Sequence, residues 1–337
     1  MTTSLEALHR CRLAVDLGTS RTRVHVRGAG IVVDEPTVAA VNMRTGGLMA
    51  VGAVAERMVG RTPAHIQVIH PVGGGSITHP GIARRMLRYL LGDHLPRRRP
   101  FRAAVCTPYG SNELEQRAAI ETLTGLGARR VELLEAPVAA AVGCRLPVQE
   151  AAASMVVVCG AAVTDVVIFS LGGVVAARSV RMAGDALAQA VARHAQTDHS
   201  VWLPARSIRQ ILSDLRTAEG SQEEIQAWGR DMATGMPRCV GLSPKEVNTA
   251  LEAPVNAIVE AISVVLHDCP PELSGDLLDR GIVLTGGTAL IRGLEERLSE
   301  ATGLCVHVPE RPLTCTVEGL GALTEGAVAQ QHTAAVA

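Results

Sequence analysis

A strand–turn–strand device occurs twice in this chain, once near the start of each half, and that repetition limits the folds open to it. The first copy runs Leu13-Ala14-Val15-Asp16-Leu17-Gly18-Thr19-Ser20-Arg21 into the alternating Thr22-Arg23-Val24-His25-Val26. The second runs Met155-Val156-Val157-Val158-Cys159-Gly160-Ala161-Ala162-Val163 into Thr164-Asp165-Val166-Val167-Ile168-Phe169. In both, an apolar run turns at small residues into a second strand. Paired hairpins of this kind imply a duplicated, two-lobed fold in which facing backbone N–H groups can hold a phosphate. The copies differ in chemistry. The first strand ends in Asp16, a carboxylate suited to hold water on a metal ion, whereas Val158 stands at that place in the second.

The rest of the chain reads as alternating strands and helices. Beta segments are expected at 12–26, 30–42 and 48–53 and a helix at 81–92, with Ile82, Met86, Leu87, Leu90 and Leu91 on one face and Arg84, Arg85 and Arg88 opposite. Ala103–Thr107 is a buried strand; Asn112 with Glu115 makes a capping box for a helix through Leu126. Arg130–Leu134 returns as a strand, and Pro137 starts an Ala-rich helix where a missing N–H is tolerated. Helices follow at 184–196, in a polar stretch at 203–235 and at 244–268, before the strand and glycine turn of Gly281–Gly287. This alternation predicts an α/β fold with parallel or mixed sheets covered on both faces.

At 337 residues the chain has material for about two domains. Hydrophobic residues make up 47% but aromatics only 2%, so the cores must be built from Ala, Val, Leu and Ile. A net charge of −1 argues against nucleic acid as a partner. The eight cysteines are scattered without ligand spacing and read as small buried hydrophobes in a reducing cytoplasm. No long uncharged apolar run or signal core is present, so a cytoplasmic protein with at most peripheral membrane contact is expected. The eleven histidines, His194 and His199 among them, show no metal spacing, and no metal site is expected from them.

A set of ordered motifs carries a family resemblance. Asp16-Leu17-Gly18-Thr19, Gly60-Arg61-Thr62-Pro63, Arg117-Ala118-Ala119, Pro137–Gly143, Ser170-Leu171-Gly172-Gly173, Gly184-Asp185, Thr234-Gly235-Met236-Pro237 and Asp279–Gly287 occur in the family's order. The chain resembles the bacterial actin-like MreB/Mbl cell-shape family from about residue 12 to about residue 325. That resemblance implies the actin-type ATPase fold, shared with heat-shock chaperone ATPases and sugar kinases, with four subdomains around an interlobe nucleotide cleft. Lobe I would be 1–142, with a small subdomain at about 31–66; lobe II would be 143–337, with a small subdomain at about 181–251. It further implies ATP or ADP with Mg2+, self-association into filaments, other MreB-family subunits and cell-wall synthesis membrane proteins as partners, and a place at the inner face of the cell membrane.

The departures from the family pattern are as informative as the matches. The first phosphate turn keeps Asp16, Gly18 and Thr19, followed by Ser20 and, in place of a small polar residue, Arg21. The second turn is Gly160, Ala161, Ala162, where the family has glycines, and added Cβ atoms there are expected to distort or shield it. Arg21 either points to solvent or fills the place of magnesium or a phosphate. The family's water-positioning Glu is Ala136, with Glu135 one step early, and the second metal-side Asp is Val158; no catalytic group is intact. The ribose-gripping region corresponds to Arg206, Ser207, Ile208 and Arg209, and the adenosine loop to Gly286, Gly287, Thr288, Ala289 and Leu290. Weak nucleotide binding with slow or no ATP turnover is therefore expected. Leu95, Arg97, Arg98, Arg99 and Phe101 form a loop expected to touch an anionic membrane surface, with Leu95 and Phe101 inserting. Two roles stay open: a filament-forming cytoskeletal protein, and a non-hydrolysing actin-fold scaffold or regulator that forms no filaments of its own. A sugar or acetate kinase is a distant third, since no acceptor-substrate loop is inserted.

Overall fold

The computed structural model describes residues 4–95, 100–215, 224–291 and 293–326. After a short helix, α1 (Leu5–Leu8), the chain makes an antiparallel meander of β1 (Leu13–Leu17), β2 (Arg21–Val26) and β3 (Gly30–Pro36). A small sheet of β4 (Ala39–Asn42), β5 (Leu48–Val51) and β6 (Ile66–Ile69) follows, with α2 (Gly52–Met58) packed on it. Then come a tight hairpin, β7 (Val72–Gly73) and β8 (Ser76–Ile77), and α3 (Pro80–Leu91), β9 (Phe101–Thr107), α4 (Glu113–Thr124) and β10 (Ala128–Glu135). Strands β9 and β10 add in parallel beside β1, giving the order β10-β9-β1-β2-β3. Strand β3 belongs to this main sheet, and the separate small sheet runs from 39 to 69.

Helix α5 (Ala136–Gly143) crosses into the second half, where the plan repeats. A meander of β11 (Ser154–Cys159), β12 (Thr164–Ser170) and β13 (Gly173–Val180) leads to α6 (Gly184–Thr197). A second small sheet, β14 (Val201–Trp202), β15 (Ile225–Asp231) and β16 (Pro237–Leu242), carries α7 (Ala205–Asp214). Long α8 (Pro244–His267), α9 (Pro271–Arg280), β17 (Ile282–Thr285), α10 (Leu294–Thr302), β18 (Val306–His307) and α11 (Cys315–Glu325) complete it. The sheet order β13-β12-β11-β17-β18 mirrors the first, with β17 parallel to β11 and to β18. The duplication seen in the two sequence hairpins is thus a duplication of whole sheets.

Local rules explain most boundaries. Asn112 and Glu115 form the expected capping box at the start of α4, and Ser243 with Glu246 forms another at α8. Replacing Asn112 by Ala is expected to lower stability by about 1 kcal/mol, read as a lower urea midpoint. In α3, Met86, Leu87 and Leu91 are buried, while Arg85 and Arg88 reach out to the carbonyls of Gly46 and Gly125. The stretch at 203–235 is corrected from helix to helix plus hairpin. Ile225 and Ala227 alternate inward with exposed neighbours, the period of a strand. Asp231 accepts the N–H groups of Ala233 and Thr234 to close the turn, which Gly235 completes at φ 74°.

Val, Leu, Ile and Ala fill both lobe cores, as the composition requires. Helix α8 is long and apolar enough to cross a membrane by composition. Its packing decides otherwise: Val247, Leu251, Ile258, Ile262 and Val265 lie in the lobe II core. Helix α11, expected in lobe II, packs beneath β1, β2 and β9, where Leu320 and Leu323 meet Ala14 and Ala104. Helix α5 in turn carries Ala140 and Ala141 against Val156 and Val167 of lobe II. The lobes therefore exchange helices, and α5 and α11 cross face to face.

The expected membrane-inserting pair is also corrected. Phe101 opens β9 with 7% of its surface exposed, inside the lobe I core, and Leu95 packs partly buried against the same cluster. Burial of β9 between β10 and β1 consumes the side chain that the loop reading left free. Arg97, Arg98 and Arg99 lie outside the described residues.

Candidate functional site

The two hairpin turns have the same shape. The Gly18 N–H donates to the Arg21 carbonyl at 3.1 Å, and the Gly160 N–H to the Val163 carbonyl at 2.9 Å. In the second turn, the Gly160 carbonyl accepts from the Gly184 N–H and from the Thr288 hydroxyl, and the Ala161 carbonyl accepts from the Asp185 N–H. In the first, the Gly18 carbonyl accepts from the Thr37 hydroxyl, while the Thr19 hydroxyl accepts from the Gly75 N–H. The N–H groups of Thr19, Ser20, Ala161 and Ala162 have no partner among the described residues. Carbonyls tied back and N–H groups left over make a concavity that favours an anion. The expectation that Ala161 and Ala162 distort the turn is corrected, because neither residue has positive φ. A methyl group is tolerated there without backbone strain.

Metal chemistry does not fit the same place. Asp16 lies near the end of β1 and accepts no hydrogen bond among the described residues; burial pushes its pKa up to about 6, with nearby Arg23 opposing. Its counterpart is Val158, whose cross-strand partner is Asp165, just as Arg23 is the partner of Asp16. The second hairpin therefore has its carboxylate on the opposite strand. Asp165 is buried and already engaged by the Ser179 hydroxyl at 2.5 Å and the Tyr109 N–H. Burial raises its pKa to about 6 as well, and neighbouring Glu135 adds to the rise. Glu135 is turned away to hold the Gly110 N–H at 3.3 Å, leaving Ala136 at the head of α5 with no group to position water. The first two elements of a hydrated-magnesium site, paired carboxylates and a water-holding acid, are thus missing from the residues present.

Arg21 stays at the surface, paired with Asp34, and does not fill the place of magnesium or a phosphate. Its Nε donates to Asp34 Oδ1 at 2.6 Å and its Nη2 to the Asp34 carbonyl at 2.7 Å, drawing it along β3.

Asp16 carries a pH signature. Its pKa is higher folded than the usual unfolded value of about 3.9, so its ionisation opposes folding. The penalty is absent below about pH 4, grows as pH rises through about 6, and is full above that. Asp16→Asn is expected to stabilise the fold at pH 7 by on the order of 1–3 kcal/mol, with the difference from the parent vanishing toward pH 4 in urea titrations.

At the base end the predicted residues divide. The Ser207 hydroxyl donates to the Trp228 carbonyl and Ile208 is buried, so both serve the fold. Arg206 is exposed, and Arg209 reaches across the cleft mouth to Glu56 of α2 at 3.2 Å. Gly286 and Gly287 form the turn after β17, with Gly286 at φ 95° where a Cβ would strike the Cys159 carbonyl. Thr288 and Ala289 are buried, whereas Gly287 and Leu290 of that loop are exposed. Sequence reasoning missed the cross-lobe contacts: Arg181 to Glu115 at 2.9 Å, and Val163 lying where a Cβ on Gly75 would meet it at 2.6 Å. It also missed that His194 and His199 converge on Glu246, the one trio of potential metal ligands among the described residues.

The profile of the family described as "MreB/Mbl protein" matches residues 10–332. The cell shape-determining protein MreB of Escherichia coli (strain K12) is 40% identical over 323 residues, covering 93% of each chain. MreB5 of Spiroplasma citri, solved bound to ADP, superposes with a TM-score of 0.88 at 25% identity, covering 95% of this chain and 98% of that one. MamK, solved as a double helical filament, superposes with a TM-score of 0.78 at 20% identity over 93% and 99% of the two chains, a likeness of fold.

Proposed function

The chain belongs to the MreB/Mbl family of actin-like cell-shape proteins, and on that premise we propose that it is a cytoskeletal subunit that binds adenine nucleotide weakly and hydrolyses it very slowly or not at all. The carrying observation is a phosphate-shaped pair of turns beside two vacant chemical positions, Val158 and Ala136. Free N–H groups at Thr19, Ser20, Ala161 and Ala162 supply the affinity, and the missing carboxylates remove the need for magnesium. Calorimetry with ATP and ADP is expected to give weak binding that changes little when magnesium is added. Tight binding that appears only with magnesium would contradict the reading.

The same proposal places the protein in the cytoplasm, peripheral to the inner face of the membrane, self-associating or joining other family subunits and cell-wall synthesis membrane proteins. The relative solved as a filament supports self-association. With Phe101 buried, membrane contact rests on charge. Arg97, Arg98 and Arg99 follow α3 in sequence, and each Arg near an anionic surface contributes about 1 kcal/mol. Changing all three to Gln is expected to release the protein from anionic liposomes at low salt; co-sedimentation equal to the parent's would sink the idea. A scaffold without filaments of its own is the second reading, favoured by the Arg209–Glu56 bridge that joins the small subdomains directly. Sedimentation of the purified chain at rising concentration separates the two.

A further inference from the structure

We infer that His194, His199 and Glu246 form a binding site for one divalent transition-metal ion of the zinc class, in lobe II and away from the phosphate turns. His194 sits in the last turn of α6, and His199 follows the helix end, where Ser200 at φ 54° turns the chain into β14. Glu246 lies in the first turn of α8. One ligand atom from each of the three lies within 4.8 Å of the others. The Nε2 atoms of His194 and His199 approach the same carboxylate oxygen, Glu246 Oε1, at 4.0 and 3.4 Å. Both ring nitrogens are buried and make no hydrogen bond.

The surroundings fix each donor in the form a metal requires. Glu246 Oε2 is held by the Ser243 hydroxyl and N–H at 2.7 and 2.8 Å, so Oε1 alone is presented to the rings. Asp198 Oδ2 lies 2.8 Å from His194 Nδ1, and its other oxygen takes the Thr197 hydroxyl. A carboxylate at Nδ1 orients the ring with Nε2 toward Glu246, the arrangement found behind metal-bound histidines. Nε2 of each ring faces Glu246 Oε1 across 3.4–4.0 Å, a gap that a positive charge would fill. The nearby Arg238 does not supply the charge, since it is bound to Asp231 at 3.0 Å and to the His199 carbonyl.

Tetrahedral ligands about 2.0–2.2 Å from zinc stand roughly 3.3 Å apart, so small side-chain rotations close the observed 3.4–4.8 Å. Two imidazoles and one carboxylate suit zinc, cobalt or nickel better than magnesium or calcium. The fourth position would be taken by water. Binding would displace any proton shared between the rings and Glu246, and would clip the end of α6 to the start of α8.

The test uses tag-free protein, since a polyhistidine tag would compete. Calorimetry with Zn2+ is expected to show one saturable site per chain. Co2+ is expected to give the visible absorption of four-coordinate cobalt. His199→Ala and Glu246→Gln should each weaken binding by at least 10-fold and abolish that absorption; the Gln keeps a cap acceptor for Ser243, so α8 stays intact. Asp198→Asn, a positioning change, should weaken binding by about 10–100-fold without altering stoichiometry. Circular dichroism confirms that each variant is folded. No saturable site in the parent, or equal affinity in folded His199→Ala and Glu246→Gln, would overturn the proposal and leave the trio as an ion pair between protonated histidine and Glu246.

Discussion

Incubated with ATP and magnesium, the purified chain is expected to release phosphate no faster than a no-protein control, and the double change Ala136→Glu, Val158→Asp is expected to bring measurable hydrolysis. The first half follows from two absences. A positioned base contributes about 10²–10⁴-fold in rate, and Ala136 offers none. Val158 removes the second carboxylate that would orient a hydrated ion, and the substitute across the strand, Asp165, is committed to Ser179 and Tyr109. The second half follows from the turns. Because the Gly160 turn keeps the geometry of the Gly18 turn and carries no strained residue, the scaffold for catalysis survives the loss of its chemistry. Turnover by the parent in a contaminant-free preparation contradicts the first half. A double variant that binds nucleotide yet stays inert contradicts the second, and points instead to the base end of the cleft.

The second large effect is one of stability. A Cβ built on Gly319 of α11 would lie 1.8 Å from the Ala139 carbonyl of α5, and one on Gly143 would lie 1.9 Å from the Cys315 carbonyl. Both obstacles are backbone, which cannot rotate aside as a side chain can. Gly319→Ala must therefore part the crossing helices, and a cost of about 3 kcal/mol or more is expected. For a chain of this size that is roughly a 4 °C fall in melting temperature. Gly275 of α9 is the matched control, since nothing lies within 4 Å of its would-be Cβ. Gly275→Ala is expected to stabilise by about 0.4–1 kcal/mol. Equal melting temperatures for the two variants would show that the helix crossing is looser than its geometry indicates.

The duplicated sheets were legible because each hairpin combines an apolar run with a turn, and the capping box at Asn112 because its signal is local. The hairpin at 225–242 was not, since a polar stretch of moderate helix propensity hides a two-residue period until Ile225 and Ala227 find a core. Phe101 was misread for the same reason: exposure is a property of packing, and the arginines beside it suggested a surface that the strand does not share. The phosphate turns could be read residue by residue, but not the bonds that orient them, because Gly184, Asp185 and Thr288 arrive from distant parts of the chain. His194 and His199 lacked helical ligand spacing because α6 ends between them, at Thr197, and their third partner lies beyond an entire small sheet.

The exchange of α5 and α11 has a consequence for the order in which the molecule can be made. Ala14 and Ala104 of lobe I are sealed by Leu320 and Leu323. During synthesis, the first lobe therefore emerges with part of one face of its sheet uncovered, and that part stays so until α11 has left the ribosome. Its β1 strand is translated about 300 residues before the helix that covers it. A nascent chain stalled before residue 315 should hold that apolar face open to chaperones, so release from them would report completion of the second lobe and of the first at the same moment.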